Sequence, residues 1–419
     1  MKISRQKGTK DIVFEDALIW EYLEEKIRKI ACSYNVNEIR TPVFEATELY
    51  ARGVGDETDI VNKEMYTFKD KGDRSITLRP ELTSGVVRAY IENGFESLPS
   101  PLKFWYVGNM YRYEKMQKGR YREFAQFGVE IFGSSSYHAD VETICLSHSL
   151  FKEIGLWEKL QLNINSIGCK ECRAKYIEKL KEYVMPNLEN MCQTCNVRYE
   201  KNPLRMLDCK EERCKEILQN APMITDNLCD ECKKDFENLK KALDDFGIDY
   251  VVDKKIVRGL DYYNKTVYEY TSKDLGLAVG GGGRYDGLVE MLGGKSTPAV
   301  GFGIGMDRLV LLLKEYNLVE DIINKNYVDV YFLILDENGY SYASDVITKI
   351  RELGYKVELD IQDKSFKSKL RYADKIKSKY VCIIGENEIK CGKCTLKNMN
   401  EGTQEDINFS IDEILKRME

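Results

Sequence analysis

From residue 15 the chain sets Ala17, Leu18, Trp20, Tyr22, Leu23, Ile27, Ile30 and Ala31 at helical spacing, which predicts an amphipathic helix over 15–33. Asn35 to Glu38 break it. Residues 39–44 then read as a strand interrupted by Pro42, a residue that places a strand at an edge or a bulge. Alternation over 65–70 and 74–79 around Lys71-Gly72-Asp73 predicts a hairpin, and a helix follows over 83–93. A second, longer hairpin pairs 104–114 with 121–132, and 142–154 reads as helix. The style changes over 166–245, which is rich in Lys, Glu and Cys and mostly helical in pattern, like an inserted module. Strand-like sequence with glycine-rich turns resumes over 250–284, and 300–315 reads as strand then helix. After Asn324 strands (328–335, 356–361, 380–385) alternate with helices (340–353, 366–376), the pattern of a small α/β domain.

Composition narrows the class. A chain of 419 residues suggests roughly two to four domains. No run of apolar residues is long enough to span a membrane, and the N-terminus MKISRQKGTKDIVF lacks the apolar core of a secretory signal, so a cytoplasmic location is expected. The net charge of −6 argues against polyanion binding by the whole surface but leaves room for a local basic face. With only His138 and His148 in the chain, a Ser-His-Asp hydrolase or a histidine-based metal site is disfavoured.

The long hairpin carries the first candidate chemistry. Strand alternation puts Arg112 and Glu114 on one face with Gly108 and Met110, and Phe124, Gln126, Gly128 and Glu130 on one face of the partner. The opposite face, Ala125, Phe127, Val129 and Ile131, suits a core. A polar face with a glycine gap reads as the floor of a small-molecule site, against the plainer reading of a half-solvated sheet. Arg120 lies in the connecting loop, where a solvated hairpin tip is the simpler account. Glu81 and Thr83 follow Pro80 at a strand-to-helix junction; Thr83 suits an N-cap and Glu81 a partner for a substrate amine. Arg258-Gly259 precedes Tyr262 and Tyr263 in what reads as an aromatic strand, and its guanidinium suits phosphate or carboxylate. The run Gly280 to Gly283 is neither a Walker A loop nor a dinucleotide fingerprint, and permits close approach of a ligand or a strand. Gly301, Gly303 and Gly305 share a strand face, leaving a flat slot beside Arg308 that suits a purine ring, or else close helix–strand packing.

These motifs, in this order, resemble the histidyl-tRNA synthetase family of class II aminoacyl-tRNA synthetases over the whole chain. IRTPVFE resembles the first class II motif, residues 104–132 the second and residues 300–313 the third; RGLDYYN and GGGRYDGL resemble the two histidine-specific signatures. The resemblance implies an α/β (α+β) fold: an antiparallel catalytic sheet with helices over 1–165 and 246–322, an inserted Cys-rich helical module over 166–245, and an α/β anticodon-binding domain over 327–419. It implies ATP-dependent activation of L-histidine and transfer to the 3′ end of tRNA(His), with Mg²⁺ accompanying ATP, in a homodimer.

Carried over by position, Glu81, Thr83 and Gln126 hold the amino group of histidine, Glu130 and Tyr263 its imidazole, and Tyr262 completes the histidine site. Arg112 grips the α-phosphate and Arg258 stabilises the pentavalent phosphorus. Glu114, Arg120 and Arg308 complete the ATP site over Gly303 and Gly305. The basic stretch SFKSKLRYADKIKSKY, with Lys364, Lys367, Lys369, Arg371, Lys375, Lys377 and Lys379, becomes a tRNA contact rather than a solvated helix face. The sequence departs from the family pattern at Lys115-Met116-Gln117, Leu82, Ala125 and Asp307, which leaves a histidine-sensing or regulatory paralogue as the alternative.

Eight of the thirteen cysteines fall between Cys169 and Cys232. Cys169-x-x-Cys172, Cys192-x-x-Cys195 and Cys229-x-x-Cys232, with Cys209 and Cys214, would suit one or two structural Zn²⁺ sites. Reduced, partly buried thiols in a helical module are the preferred reading, and no metal ligand is assigned among the site residues.

Overall fold

Helix α1 (Glu15–Ser33) forms where the apolar stripe places it, with Ile19, Leu23, Ile27 and Ala31 buried along one side. The strand expected over 39–44 is instead split between two sheets. Asn37–Glu38 (β1) pairs parallel with Phe104 and Trp105, whereas Phe44–Ala46 (β2) joins a separate three-stranded sheet. Pro42 has no N–H for a ladder, so the intervening residues form a crossing. Arg79 pins that crossing, donating from Nη1 to the Thr41 carbonyl at 2.8 Å and from Nε to the Asn109 carbonyl at 2.7 Å. Here the computed structural model describes residues 3–55, 58, 60–253, 256, 260–324 and 328–418. They fall into two units, Met1–Leu318 and Val319–Glu419.

In the first unit, α2 (Thr47–Val54) leads to the expected short hairpin, β3 (Tyr66–Lys69) and β4 (Ser75–Leu78). Then come α3 (Thr83–Glu92), the long hairpin β5 (Leu102–Tyr111) and β6 (Glu123–Phe132), α4 (Tyr137–Glu153) and β7 (Leu160–Ser166). The inserted segment supplies α5 (Lys170–Val184), α6 (Gln193–Lys201), α7 (Glu212–Leu218) and α8 (Asp230–Asp245). The chain returns through β8 (Val251–Val252), β9 (Asn264–Ser272), β10 (Ala278–Arg284), α9 (Leu288–Met291), β11 (Ala299–Gly305) and α10 (Met306–Glu315).

The large sheet runs β1-β5-β6-β11-β10-β9-β7-β8, antiparallel except at its two outermost pairs. On β6, Ala125, Phe127, Val129 and Ile131 are buried as their alternation requires, and Phe127 meets Phe302 edge to face at 5.4 Å. Tyr268 and Tyr270 of β9 send their hydroxyls to Thr143 and Ser147 of α4 at 2.9 and 2.5 Å, fixing that helix to the sheet. The chain leaves the sheet for the inserted segment after β7 and returns through β8 to β9, and backbone bonds between the ends of β7 and β9 close this neck, Ile167 N–H to Lys265 O at 2.7 Å and Lys265 N–H to Gly168 O at 2.9 Å. The glycine run of β10 serves strand approach: a Cβ on Gly282 would stand 2.1 Å from the Gly301 carbonyl oxygen.

The second unit is a five-stranded sheet with helices. After α11 (Glu320–Asn324) come β12 (Val330–Ile334), α12 (Gly339–Glu352), β13 (Val357–Leu359), α13 (Phe366–Lys375), β14 (Tyr380–Ile384), α14 (Glu386–Cys391), β15 (Lys393–Asn398), β16 (Gln404–Asn408) and α15 (Ile411–Met418). The order is β13-β12-β14-β15-β16, with the first three parallel and the last two antiparallel. The Cys391-Gly-Lys-Cys394 turn is the end of α14, where Gly392 adopts φ 68° before β15 starts. Lys369 departs from the expected exposed basic face. It is buried, donates to the Ile334 carbonyl at 2.7 Å and pairs with Asp360. Among the described residues, no helix is long and apolar enough to cross a membrane.

Candidate active site

A cavity of about 410 Å³ opens in the first unit over β6, β10 and β11. Glu81, Thr83, Arg112, Glu114, Arg120, Gln126, Tyr262, Tyr263, Gly303, Gly305 and Arg308, dispersed over more than two hundred residues of sequence, all line it. Glu130 lies just beneath the lining, 1% exposed. Arg258 lies outside the described residues.

One end of the cavity is built around carboxylates. Glu130 accepts the Thr83 hydroxyl at 2.7 Å and the Tyr106 hydroxyl at 3.0 Å on one oxygen, and the Tyr285 hydroxyl on the other. Burial pushes its pKa up to about 8, and the neighbouring Glu81 charge adds to the shift, against the lowering effect of the three hydroxyls. Glu81 is raised by the same burial. One of its oxygens takes the Ser84 N–H at 3.0 Å; the other, Oε2, is buried without a hydrogen-bond partner among the described residues. An orphaned buried carboxylate oxygen is costly unless a donor arrives, so this end of the cavity is complementary to a small cation.

The opposite end is built around arginines. The β5–β6 ladder stops at Tyr111 and Glu123, so Arg112 and Glu114 lie in the loop beyond the strand, not on its face as alternation suggested. Arg112 donates from Nε to the Pro80 carbonyl at 2.7 Å, which ties it to the chain just before Glu81, and its guanidinium lies over the Phe124 ring. Glu114 is shared, with Arg112 Nη1 at 3.7 Å and Arg120 Nη1 at 3.1 Å. Arg308, in the first turn of α10, donates to the Ala278 carbonyl. Burial lowers the Arg308 pKa, and the charges of Arg120 and Arg112 lower it further against the opposing charges of Glu114 and Glu269, so three guanidiniums stand within mutual range of two carboxylates. That excess of cation suits a polyanion such as a triphosphate.

Two glycines do something other than their spacing suggested. A Cβ on Gly128 would lie 2.3 Å from the Tyr106 ring, so the gap in the floor is filled by that tyrosine and not left for a ligand. A Cβ on Gly301 would lie 1.8 Å from Glu130 Oε2, so this glycine makes room for the buried carboxylate while Gly303 and Gly305 line the cavity. Tyr262 and Tyr263 precede β9 in a turn rather than standing in a strand. In GGGRYDGL the residues divide by task. Tyr285 reaches Glu130, but Arg284 is buried away from the cavity, holding Asp140, Asp286 and the carbonyls of Ser134 and Ser136.

Sequence reasoning passed over Tyr106, Tyr285, Glu269, Asp208 and Lys210. The tyrosines reach Glu130, and Glu269, Asp208 and Lys210 line the cavity. Tyr106 had a signal: it stands opposite Gly128 in the β5–β6 register. Asp208 and Lys210 come from the inserted segment and had none.

The family model described as histidyl-tRNA synthetase matches residues 8–309. This chain belongs to the histidyl-tRNA synthetase family. A second model, an anticodon binding domain, matches residues 329–419 of this synthetase-family chain. The histidine--tRNA ligase of Acetivibrio thermocellus is 51% identical over 414 residues, 98% of each chain, and that of Clostridium perfringens is 50% identical over 416 residues, 99% of each. The crystal structure of apo S. aureus histidyl-tRNA synthetase superimposes with a TM-score of 0.83 at 36% identity, covering all of both chains. The mixed α/β architecture expected from the sequence is therefore the architecture of this synthetase family.

Proposed function

We propose that the chain is a histidine–tRNA ligase: it joins L-histidine to ATP as histidyl-adenylate and passes the histidyl group to the 3′-terminal ribose of tRNA(His). The observation that carries this reading is the polarity of the cavity, with a buried carboxylate pair at one end and three arginines at the other. Glu81, with Thr83 and Gln126, takes the ammonium group. Glu130 and Tyr263 take the imidazole, whose N–H replaces one of the hydroxyls now on Glu130, with Tyr262 packed alongside. This places the histidine carboxylate toward Arg112. Its oxygen attacks the α-phosphorus of ATP, the bond to the bridging oxygen breaks, and pyrophosphate leaves. The ribose hydroxyl of tRNA then attacks the acyl carbon and AMP departs.

The chemistry asks for alignment and charge neutralisation, and no protein nucleophile. Arg112 and Arg258 offset charge at the reacting phosphorus. Arg120 and Arg308 hold the outer phosphates, with Glu114 releasing Arg120 as the nucleotide enters, and Gly303 and Gly305 lie under the adenosine. Glu114 and Glu269, both lining the cavity, are the oxygen donors that would hold a Mg²⁺ entering with ATP, and the ion would supply charge neutralisation at the phosphates.

In the same reading residues 329–419 meet the anticodon stem, and the exposed Lys364, Lys367, Arg371, Lys375 and Lys377 are their basic contacts. The crossing that holds Pro42 serves a homodimer interface, which accords with the exposure of Val43 and Phe44. The test is histidine-dependent ATP–pyrophosphate exchange, with other amino acids as controls, for wild type and Arg258→Ala, followed by charging of tRNA(His). Exchange with histidine alone, lost in the variant, is expected. Absence of exchange from folded protein that still binds histidine would favour the sensing paralogue instead.

A further inference from the structure

The eight cysteines of the inserted segment are brought together across the sequence. They gather into two groups of four: Cys169, Cys172, Cys229 and Cys232, and Cys192, Cys195, Cys209 and Cys214. Within each group every Sγ lies within 4.8 Å of the others. Cys169 Sγ stands 3.5 Å from Cys172 Sγ, and Cys192 Sγ 3.8 Å from Cys209 Sγ. Four thiolates around one Zn²⁺ at about 2.3 Å stand about 3.8 Å apart, whereas a disulfide needs about 2.05 Å. All thirteen cysteines are free.

The backbone around both groups is arranged for thiolate sulfur. In each Cys-x-x-Cys the first cysteine is the N-cap of a helix: Cys169 for α5, Cys192 for α6 and Cys229 for α8. The second then sits in the first helical turn, where free N–H groups and the helix dipole favour negative charge. Backbone N–H groups already point at sulfur, Cys229 to Cys172 Sγ at 3.1 Å, Cys192 to Cys214 Sγ at 3.2 Å and Cys195 to Cys192 Sγ at 3.4 Å. Such contacts orient and support metal-bound sulfur. The helices are short, α7 having seven residues and α6 nine, and helices of that length do not persist without tertiary support. Small modules of this kind are commonly stapled by metal.

We propose that residues 169–232 hold two structural Zn²⁺ centres, each bound by one of these cysteine tetrads. This reverses the sequence-based preference for unmetallated thiols. The first centre joins the two strands of chain at the neck of the module. The second sets the wall of the catalytic cavity, because its ligand Cys209 lies between Asp208 and Lys210, which both line that cavity. The second centre is therefore a positioning element and neither centre touches the reacting atoms.

The test is elemental analysis of the purified full-length chain, followed by thiol titration with mercurial and a colorimetric zinc indicator. Two zinc ions per chain are expected, released together as the eight clustered thiols react. Cys169→Ser/Cys229→Ser and Cys192→Ser/Cys209→Ser should each lose one equivalent, and the control Cys32→Ser/Cys391→Ser, at exposed positions, should lose none. Cobalt grown into the protein should give the visible bands of tetrahedral thiolate coordination. Folded wild-type protein without stoichiometric metal, whose eight thiols all react freely, would overturn the proposal; iron in place of zinc, or a single zinc lost with either pair, would overturn it equally. The readout is metal content, so it stands apart from whether the chain charges tRNA.

Discussion

Asp307 accepts the Ala125 backbone N–H at 3.1 Å, and Lys10 Nζ lies 2.7 Å from its other oxygen. A single buried carboxylate thus joins the start of α10, the edge of the cavity floor on β6 and the N-terminal segment. Asp307→Ala leaves an amide and an ammonium without their acceptor, and should cost about 2–4 kcal/mol in urea unfolding. Asp307→Asn keeps the bond to Ala125 and should cost less than half as much. Equal losses in the two variants would show that Lys10, and not the amide, carries the energy.

The raised pKa of Glu130 predicts a pH signature in the ligand-free protein. The folded carboxyl titrates at about 8, while in the unfolded chain it titrates at about 4.3. Between those values the folded state keeps a proton that the unfolded state has released, so wild-type stability falls as pH rises and levels off above the folded pKa. Glu130→Gln has no such proton to lose. Its stability relative to wild type should climb from about pH 5 to about pH 8 and then stay flat, while its affinity for histidine falls about tenfold or more. Urea midpoints across that range check the first part, and calorimetric titration the second; a pH-independent difference would contradict the buried-carboxylate account.

At the other end of the cavity, Arg308→Ala should reduce histidine-dependent pyrophosphate exchange by about a hundredfold, the scale of losing one preorganised charge donor. Arg120, on the loop and 40% exposed in its side chain, should cost less. Both losses should fall on ATP and leave histidine binding within a factor of about two, since a single distant contact couples weakly. Separate titrations with each substrate decide this.

Two of the three alternate glycines of β11 should behave differently on substitution. Gly301→Ala drives a methyl to 1.8 Å from Glu130 and 2.5 Å from the Val129 carbonyl, and the latter cannot move without breaking the ladder. It should destabilise the protein by about 1–3 kcal/mol or more and abolish histidine binding. Gly303→Ala meets only the Gln126 amide, at 3.2 Å, and should fold normally with weakened substrate binding. Thermal unfolding and histidine titration of both variants test the contrast.

Much of this was legible along the chain because period-two and helical patterns are local. The long hairpin, its buried face at Ala125, Phe127, Val129 and Ile131, and the helices α1, α3 and α4 follow from alternation and spacing alone. The misreadings share a cause. Alternation says which way Gly128 and Gly301 face but not that Tyr106 and Glu130, on neighbouring strands, fill the space above them. The structural role of Arg284 was not legible because its decisive partner, Asp140, is 144 residues away. The cysteines have one spacing three times over, and only the closing of the neck decides which pairs meet. At the edge of the second sheet, β16 buries only Ile407, so it carried too little apolar signal to be seen.

The neck at Ile167, Gly168 and Lys265 has a consequence for how the molecule can vary. The large sheet is complete across β7 and β9 whether or not anything hangs from that closure, since its ladder is made by residues on either side. What hangs from the closure is an annex to the sheet, yet its helical part furnishes Asp208 and Lys210, and its return leg Tyr262 and Tyr263, to the cavity. Exchanging the helical part alone between relatives, with that return leg kept, would leave the reaction floor in place while changing one wall, so the shape of what enters can drift independently of the chemistry performed inside.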